Sequence, residues 1–377
     1  MTKSIAVGML GAGFIGSFHS FALRMQELIK RPPAIEPRLK LLVDLNEETR
    51  SSVQKRFKWE NTGADWRVIT DDPGIGIFVN AGPNNLHAEP SVKAFAAGKH
   101  VFCEKPLAEN ADSALAMWQA AKRSKALNQA AFVYRFVPAV RHLRDIVRSG
   151  AIGEITAFRS NYLMNNYLQK DLPFSWRLDK KVAGTGTFGD LGAHHIDAAR
   201  FIVGEIAEVG TLARIAVPEV GGRKVEVDDG FVSIIAFENG VMGTIEASRV
   251  AAGYQHTSRF QVDGTKGSVR FDVMRLNEIE IADSLTSGFR TIVVVQEGHP
   301  FSDFWWEGGV QGSHPVGWVE CFVHQMTHFL RAIEGEHAVA PFAATFEDGY
   351  RTAEVGDTMV KSWASGRREK VIYHRAS

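Results

Sequence analysis

Cysteine is almost absent: Cys103 and Cys321 are the only two, far apart in the chain. Two thiols make neither a disulfide framework nor a structural zinc site, so both read as buried thiols and no metal is expected. An excess of either charge is also missing, with 43 Lys and Arg against 43 Asp and Glu. That balance removes the long-range attraction by which nucleic-acid binders and membrane-surface proteins gather their partners, and it points to a small ligand. No stretch approaches the ~18 to 20 apolar residues that span a bilayer. Met1–Leu10 carries no basic region followed by a separate hydrophobic segment and a cleavage site, but runs straight into an apolar strand. A soluble, cytoplasmic protein is expected.

What is present is 377 residues, 45% hydrophobic and 23% charged, an ordinary globular composition long enough for two domains. From Ser4 to about Tyr134, β-branched runs alternate with helix-like stretches, the pattern of a parallel sheet built from βαβ units. Strands are expected at Ile5–Leu10, Leu39–Asp44, Ile77–Ala81, His100–Cys103 and Ala130–Tyr134, with helices that include Leu86–Ala97 and Asp112–Ser124. Beyond about residue 150 the runs Ile155–Leu163, Phe231–Phe237, Val241–Ser248, Phe260–Val262, Ser268–Phe271 and Thr291–Val295 read as a sheet of mostly antiparallel strands. Asn239-Gly240 and Asp263-Gly264-Thr265 are hairpin-turn chemistry between strand pairs. Helices return at Asp190–Val203, Trp318–Ile333 and Thr345–Trp363, and loops are expected at Arg31–Pro37, Asn165–Arg177 and Gly298–Pro315. The expectation is a Rossmann domain with a doubly wound parallel sheet over 1–135, then an α+β domain with a large open sheet over 136–377. An open apolar sheet face needs cover, so a homodimer or homotetramer is expected.

Gly11-Ala12-Gly13-Phe14-Ile15-Gly16 follows the first strand and opens a helix. That context is what a dinucleotide requires: a tight turn at Gly11, close approach of the pyrophosphate at Gly13, helix packing at Gly16, and helix-terminal amides for the phosphates. The second strand ends at Asp44, where a carboxylate accepts hydrogen bonds from the adenosine ribose and repels a 2′-phosphate. NAD is therefore expected over NADP. The spacing from the glycines is longer than usual, which an insertion at Arg31–Pro37 explains.

Asn80-Ala81-Gly82-Pro83-Asn84-Asn85-Leu86-His87, then Ala97-Gly98-Lys99-His100-Val101-Phe102-Cys103-Glu104-Lys105-Pro106-Leu107-Ala108, resembles the signature of the glucose-fructose oxidoreductase / inositol dehydrogenase / MocA family. Gly189-Asp190-Leu191-Gly192-Ala193-His194-His195-Ile196-Asp197 resembles that family's second signature, and the match is collinear over essentially the whole chain. Asp65-Trp66-Arg67, Ser175-Trp176-Arg177, the run from Ala198 to Glu205 and Glu297-Gly298-His299-Pro300 are similar to members that oxidise sugars and anhydrosugars such as levoglucosan.

Oxidising a secondary alcohol requires a base for the hydroxyl proton and a donor or cation beside the developing alkoxide, while a hydride leaves carbon. Asp190 and His194, spaced i, i+4, project from one face of a helix. Near a helix N-terminus the dipole favours the carboxylate and disfavours imidazolium, so His194 is expected to be a neutral base. Lys105 follows a parallel strand at its C-terminal end, where ligands of such sheets bind. The resemblance implies a triad: His194 as proton acceptor, Lys105 as hydrogen-bond partner and proton relay, Asp190 as substrate anchor and orienting carboxylate. It also implies a cis Lys105-Pro106 bond that aims the lysine into the cleft. Alone, a Lys-Pro pair is a surface turn and an Asp/His stripe a solvated face; the glycine fingerprint alters that reading.

His195 points about 100° from His194 on a helix and reads as packing, while Asp197 shares the stripe and could hold His194 or cap a strand. By resemblance, Pro83, Asn84, His87, Glu104, Trp176 and Arg177 would line the cofactor with Gly11, Gly13, Phe14, Ile15, Gly16, Asp44 and Lys105. Val133 stands where the family often has Asn, which removes one polar contact near nicotinamide or substrate. Tyr162 and Asn165, with Asn166, Tyr167 and His314, are candidate sugar contacts beside Lys105, Asp190 and His194. The expected activity is oxidation of a ring hydroxyl of a sugar, anhydrosugar or inositol to a ketone, with hydride passing to NAD. The alternatives are a hydrolase or lyase that recycles its NAD, and a non-catalytic NAD-dependent regulatory protein.

Overall fold

The apolar run Ile5–Leu10 shows no alternation, as suits a strand buried on both faces. In the computed structural model, which describes residues 3–305 and 314–375, it lies inside a six-stranded sheet. The strands β1 (Lys3–Leu10), β2 (Ile35–Val43), β3 (Asn61–Gly63), β4 (Ile77–Asn80), β5 (His100–Cys103) and β6 (Asn128–Ala130) stand in the order 3-2-1-4-5-6. Every pairing is parallel. Helices α1 (Phe14–Arg24), α2 (Glu47–Phe57), α3 (Arg67–Asp71), α4 (Ala88–Ala96) and α5 (Ala111–Arg123) make the crossovers. The strand order reverses between β1 and β4, and ligands of doubly wound sheets bind outside the strand C-termini at that crevice.

The rest of the chain contributes α6 (Pro138–Arg148), β7 (Ile155–Leu163), α7 (Lys180–Ala183), α8 (Ala193–Ile202), β8 (Ile206–Arg214), β9 (Glu219–Val220), β10 (Arg223–Lys224), β11 (Gly230–Phe237) and β12 (Met242–Ser248). It continues with β13 (Thr257–Gly264), β14 (Ser268–Asp272), β15 (Glu278–Ala282), β16 (Arg290–Val293), α9 (Ser302–Trp305), α10 (Trp318–Glu334), α11 (Phe346–Ser365) and β17 (Glu369–Lys370). Nine strands form one sheet in the order 16-15-14-13-7-12-11-8-17. Its one parallel contact is β7 with β12; the other neighbours are antiparallel. Phe158, Phe231, Ile235, Ile245 and Phe260 bury one face in a core shared with α6 and α8. The opposite face leaves Leu212, Val232, Ile234 and Met242 between 50% and 78% exposed. Late helices return to the first sheet: α10 packs against α1, and α11 against α5. A capping box at Thr345 and Asp348 starts α11. No helix among the described residues is long and apolar enough to cross a membrane.

Four expectations need correction. The strand expected at Ala130–Tyr134 stops at Ala130, and Val133–Phe136 is a 3-10 turn; Ala131–Tyr134 are apolar and buried, and an apolar buried run does not by itself distinguish strand from turn. Strand β2 starts at Ile35, inside the expected loop Arg31–Pro37, because Pro37 lies where β2 has a neighbour on the β1 side only. The helix expected from Asp190 begins as a π turn, Phe188–Gly192, before α8. Strands β8 and β15 were not foreseen. Of the expected loop Gly298–Pro315, residues 306–313 lie outside the described residues.

Candidate active site

The turn after β1 is shaped by glycine at two positions. Gly11 has φ +96°, and a Cβ there would lie 2.3 Å from the Ala81 carbonyl oxygen; at Gly16 it would lie 2.0 Å from that of Gly11. Gly13 differs, since nothing stands within 4 Å of a Cβ added to it. It is the N-cap of α1, which has no side-chain cap, so the first amides of the helix stay available to an anion. Phe14 is exposed and Ile15 half-buried in the first turn. Asp44 follows β2 directly, and its carboxylate accepts from the Ala12 N–H at 2.7 Å and the Asn46 N–H at 2.8 Å. Loop and carboxylate thus form one cradle, and these residues fit a nicotinamide dinucleotide.

The segment after β5 is fastened to α1. Buried His19 Nε2 lies 2.6 Å from Glu104 Oε1, and Glu104 Oε2 accepts from the Lys105 N–H at 3.1 Å. The Lys105-Pro106 bond is cis, as the resemblance implied. The ring nitrogens of buried His87 lie 2.9 Å from the carbonyls of Gly82 and Pro106, so His87 joins the β4 and β5 exits. Burial pushes its pKa down. Buried Asn84 donates to the Ala183 carbonyl at 2.9 Å, and Pro83 precedes it as the cap of a 3-10 turn.

Lys105 Nζ donates to Asp190 Oδ1 and to the Asp190 main-chain oxygen, each at 2.8 Å. The π turn that carries Asp190 is held by Asp228, a buried carboxylate that accepts from the N–H groups of Gly186 and Phe188 and from the Thr187 hydroxyl. Such single π turns recur at functional sites. Burial opposes ionisation of Asp190, but Lys105, Arg249 and Arg177 outweigh it and hold the carboxyl well below the usual range. His194 is buried in the first turn of α8, its ring edge-on to Tyr134 at 5.1 Å, and its Nδ1 has no hydrogen-bond partner among the described residues. Burial, then the Lys105 ammonium, push its pKa well down. That direction favours the neutral imidazole expected from the helix end, with burial and Lys105 as its main causes.

Other candidates divide. Tyr162, buried on β7, places its hydroxyl 2.8 Å from Nε2 of the exposed His256. Asn165 and Asn166 are half-buried, and Asn166 Oδ1 has no hydrogen-bond partner among the described residues. Trp176 and Arg177 sit half-buried in a 3-10 turn, the guanidinium 4.4 Å from the indole centroid. His314 is exposed, and Val133 is buried. His195 packs as expected, with Nε2 3.1 Å from Ser258 Oγ and burial lowering its pKa to about 3. Asp197 neither holds His194 nor caps a strand: it accepts two hydrogen bonds from buried Arg135, at 2.9 and 2.6 Å. Sequence reasoning missed Arg249, which bonds Asp190 Oδ2, and His256. Both lie just outside expected strands, where no motif marks them.

Two family models match this chain: the NAD-binding Rossmann fold of an oxidoreductase family over residues 5–132, and the Gfo/Idh/MocA C-terminal domain over residues 140–270. Levoglucosan dehydrogenase of Pseudarthrobacter phenanthrenivorans is 35% identical, across 96% of this chain and 97% of that one. Myo-inositol 2-dehydrogenase of Thermotoga maritima is 28% identical over 74% of this chain and 78% of its own. A solved levoglucosan dehydrogenase in complex with NADH and levoglucosan superposes with a TM-score of 0.92 at 35% identity, covering 98% of this chain and 100% of that one. The chain therefore belongs to the Gfo/Idh/MocA family of NAD-binding oxidoreductases.

Proposed function

We propose that this protein oxidises one ring secondary hydroxyl of a sugar, a levoglucosan-like anhydrosugar or an inositol to a ketone, with NAD as hydride acceptor. The observation that carries this reading is the Lys105–Asp190 pair beside a neutral, buried His194, at the strand C-termini that also present the glycine loop. The relatives named levoglucosan dehydrogenase and myo-inositol 2-dehydrogenase supply the substrate class.

Gly11, Gly13, Phe14, Ile15, Gly16 and Asp44 would hold the dinucleotide, with Pro83, Trp176 and Arg177 along it, while Asn84, His87 and Glu104 shape the cradle. Bound NAD supplies the acceptor for the hydride that leaves the carbinol carbon. Lys105 spends two of its three N–H groups on Asp190 and retains one for the substrate oxygen. Asp190 anchors a neighbouring hydroxyl. His194 takes the hydroxyl proton as the C–O single bond becomes a carbonyl, and the ammonium of Lys105 lowers the cost of the intervening alkoxide. Tyr162 and Asn165 would contact the sugar. Asp44 disfavours the 2′-phosphate of NADP.

The cofactor half is residues 1–135 and the substrate half 136–377, and the protein works in the cytoplasm as a homodimer or homotetramer. Exposed Leu212, Val232, Ile234 and Met242 on the outer sheet face support the assembly. The reading is tested by incubating the protein with NAD and a panel of levoglucosan, hexoses and inositols. NADH should accumulate with one ketone per turnover; product without net NADH would instead mark a hydrolase or lyase that recycles its cofactor.

A further inference from the structure

Arg249 directly follows β12, and its main chain is fixed from both sides: its N–H donates to the Asp229 carbonyl at 2.9 Å, and its own carbonyl accepts from Tyr167 at 3.1 Å. The side chain is 2% exposed. One guanidinium nitrogen donates to Asp190 Oδ2 and the other to the Tyr167 hydroxyl, with the guanidinium carbon 4.7 Å from the centre of that ring. Asp190 is thus held at both oxygens, by Lys105 on Oδ1 and Arg249 on Oδ2. A carboxylate with only one oxygen held can rotate about its last bond; one gripped at both cannot. Tyr167 belongs to the half-buried polar segment after β7, so the same guanidinium ties that segment to the carboxylate.

We propose that Arg249 is a positioning residue that fixes the rotamer of Asp190 and couples it to the Tyr167 segment, so that ordering around a sugar and alignment of the carboxylate occur together. This rests on the reading of Asp190 as substrate anchor. The charges fit the role. The single carboxylate of Asp190 faces two bonded cations, Lys105 and Arg249, and the surplus positive charge favours an alkoxide. The other groups facing it are Arg177 from the 176–178 turn, His194 of α8, Tyr162 of β7, Tyr167, and His256 ahead of β13, while Asp228 faces Arg249 from behind.

Two measurements on the intact protein test this. Carboxyl-carbon NMR of aspartate-labelled protein, with the Asp190→Asn spectrum identifying the signal, reads Asp190 without any substrate. In Arg249→Met the Asp190 carboxyl should titrate at a higher pH than in the wild type, since one of the cations that favour its ionised form is gone, and in Arg249→Lys, which keeps the charge, it should stay close to the wild type. Steady-state kinetics with a sugar that the wild type oxidises should show kcat/KM down by about 10²-fold in Arg249→Met. Tyr167→Phe should raise KM and leave the titration unmoved. A folded Arg249→Met whose Asp190 titrates as in the wild type, or whose kcat/KM is unchanged, overturns the proposal. Should Met not fold at this position, Arg249→Lys with wild-type kcat and KM overturns it, since one ammonium cannot reproduce the guanidinium bridge. A wild type that turns over no sugar would count against the proposed function, and the titration would still decide the role of Arg249.

Discussion

Lys105 Nζ lies 2.8 Å from both the main-chain oxygen and Oδ1 of Asp190, two residues separated by 85 positions in sequence. The contact joins the strand-end segment of the parallel sheet to the π turn ahead of α8. Replacing Lys105 with Ala removes the donor to the substrate oxygen and one of the cations that keep Asp190 ionised. kcat should fall by about 10²- to 10⁴-fold, the range for a positioned acid–base group, while tryptophan fluorescence quenching by NADH persists. Loss of NADH binding together with activity would mean that Lys105 serves the cofactor instead.

Gly13→Ala separates folding from cofactor binding. The added methyl meets nothing within 4 Å in the protein, and the backbone φ is −68°, which alanine accepts. The melting temperature should stay within about 1 °C, a change worth under ~1 kcal/mol at this chain length. NADH affinity should fall at least about ten-fold, since the methyl occupies the approach to the pyrophosphate. Titration calorimetry beside a thermal melt checks both. Wild-type affinity would refute the assigned pyrophosphate position.

How much of this was legible beforehand depended on where the signal resides. The glycine turn, Asp44 and the Glu104-Lys105-Pro106 segment lie at strand ends, where backbone constraint and residue type coincide, and a linear reading finds them. Arg249 was not legible, because an arginine after a strand resembles any solvated terminus until the fold brings Asp190 and Tyr167 against it. Asp197 misled for a related reason. Helical spacing places it on the stripe of Asp190 and His194, but its partner Arg135 comes from the turn Val133–Phe136, whose first half overlaps the end of an expected strand. Strand β15 does carry a period-two pattern, Glu278-Ile279-Glu280-Ile281, but the alternation spans only those four residues and is charged at every second position.

Acid should destabilise the fold through its buried imidazoles. His195 and His324 are fully buried, and burial lowers their pKa values to about 3 and about 4. His324 Nδ1 lies 3.1 Å from the Phe136 carbonyl, and Nε2 accepts from Trp305 at 2.8 Å, so a second ring proton would break a hydrogen bond. A histidine whose folded pKa is depressed contributes stability that is present above the unfolded value near 6.5 and is lost as pH falls toward the folded value. Each costs up to ~1.4 kcal/mol per pH unit in that window. Asp357, raised to about 6 by burial, acts in the opposite direction and offsets one of them. The melting temperature should drop between pH 6.5 and 4.5, and His324→Gln should flatten the drop. A melting temperature independent of pH across that interval would contradict this.

Assembly should fail when charge is placed on the open sheet face. Leu212 and Ile234 are 78% and 54% exposed. Leu212→Glu with Ile234→Glu leaves the buried face untouched, so the fold should survive by circular dichroism. Sedimentation should then move from a multiple of the monomer mass to the monomer. A wild type that is already monomeric at micromolar concentration would refute the proposed oligomer.

The most direct test of the central claim follows the hydride itself. Carbon-bound hydrogens of levoglucosan and of myo-inositol are replaced by deuterium, each sugar is incubated with the wild-type protein and NAD, and the reduced cofactor is isolated for NMR. The account predicts one deuterium at C4 of the nicotinamide for every ketone formed, with transfer at least about 10²-fold slower in Lys105→Ala and His194→Ala. NADH without deuterium, or equal deuterium transfer by those two variants, would contradict it.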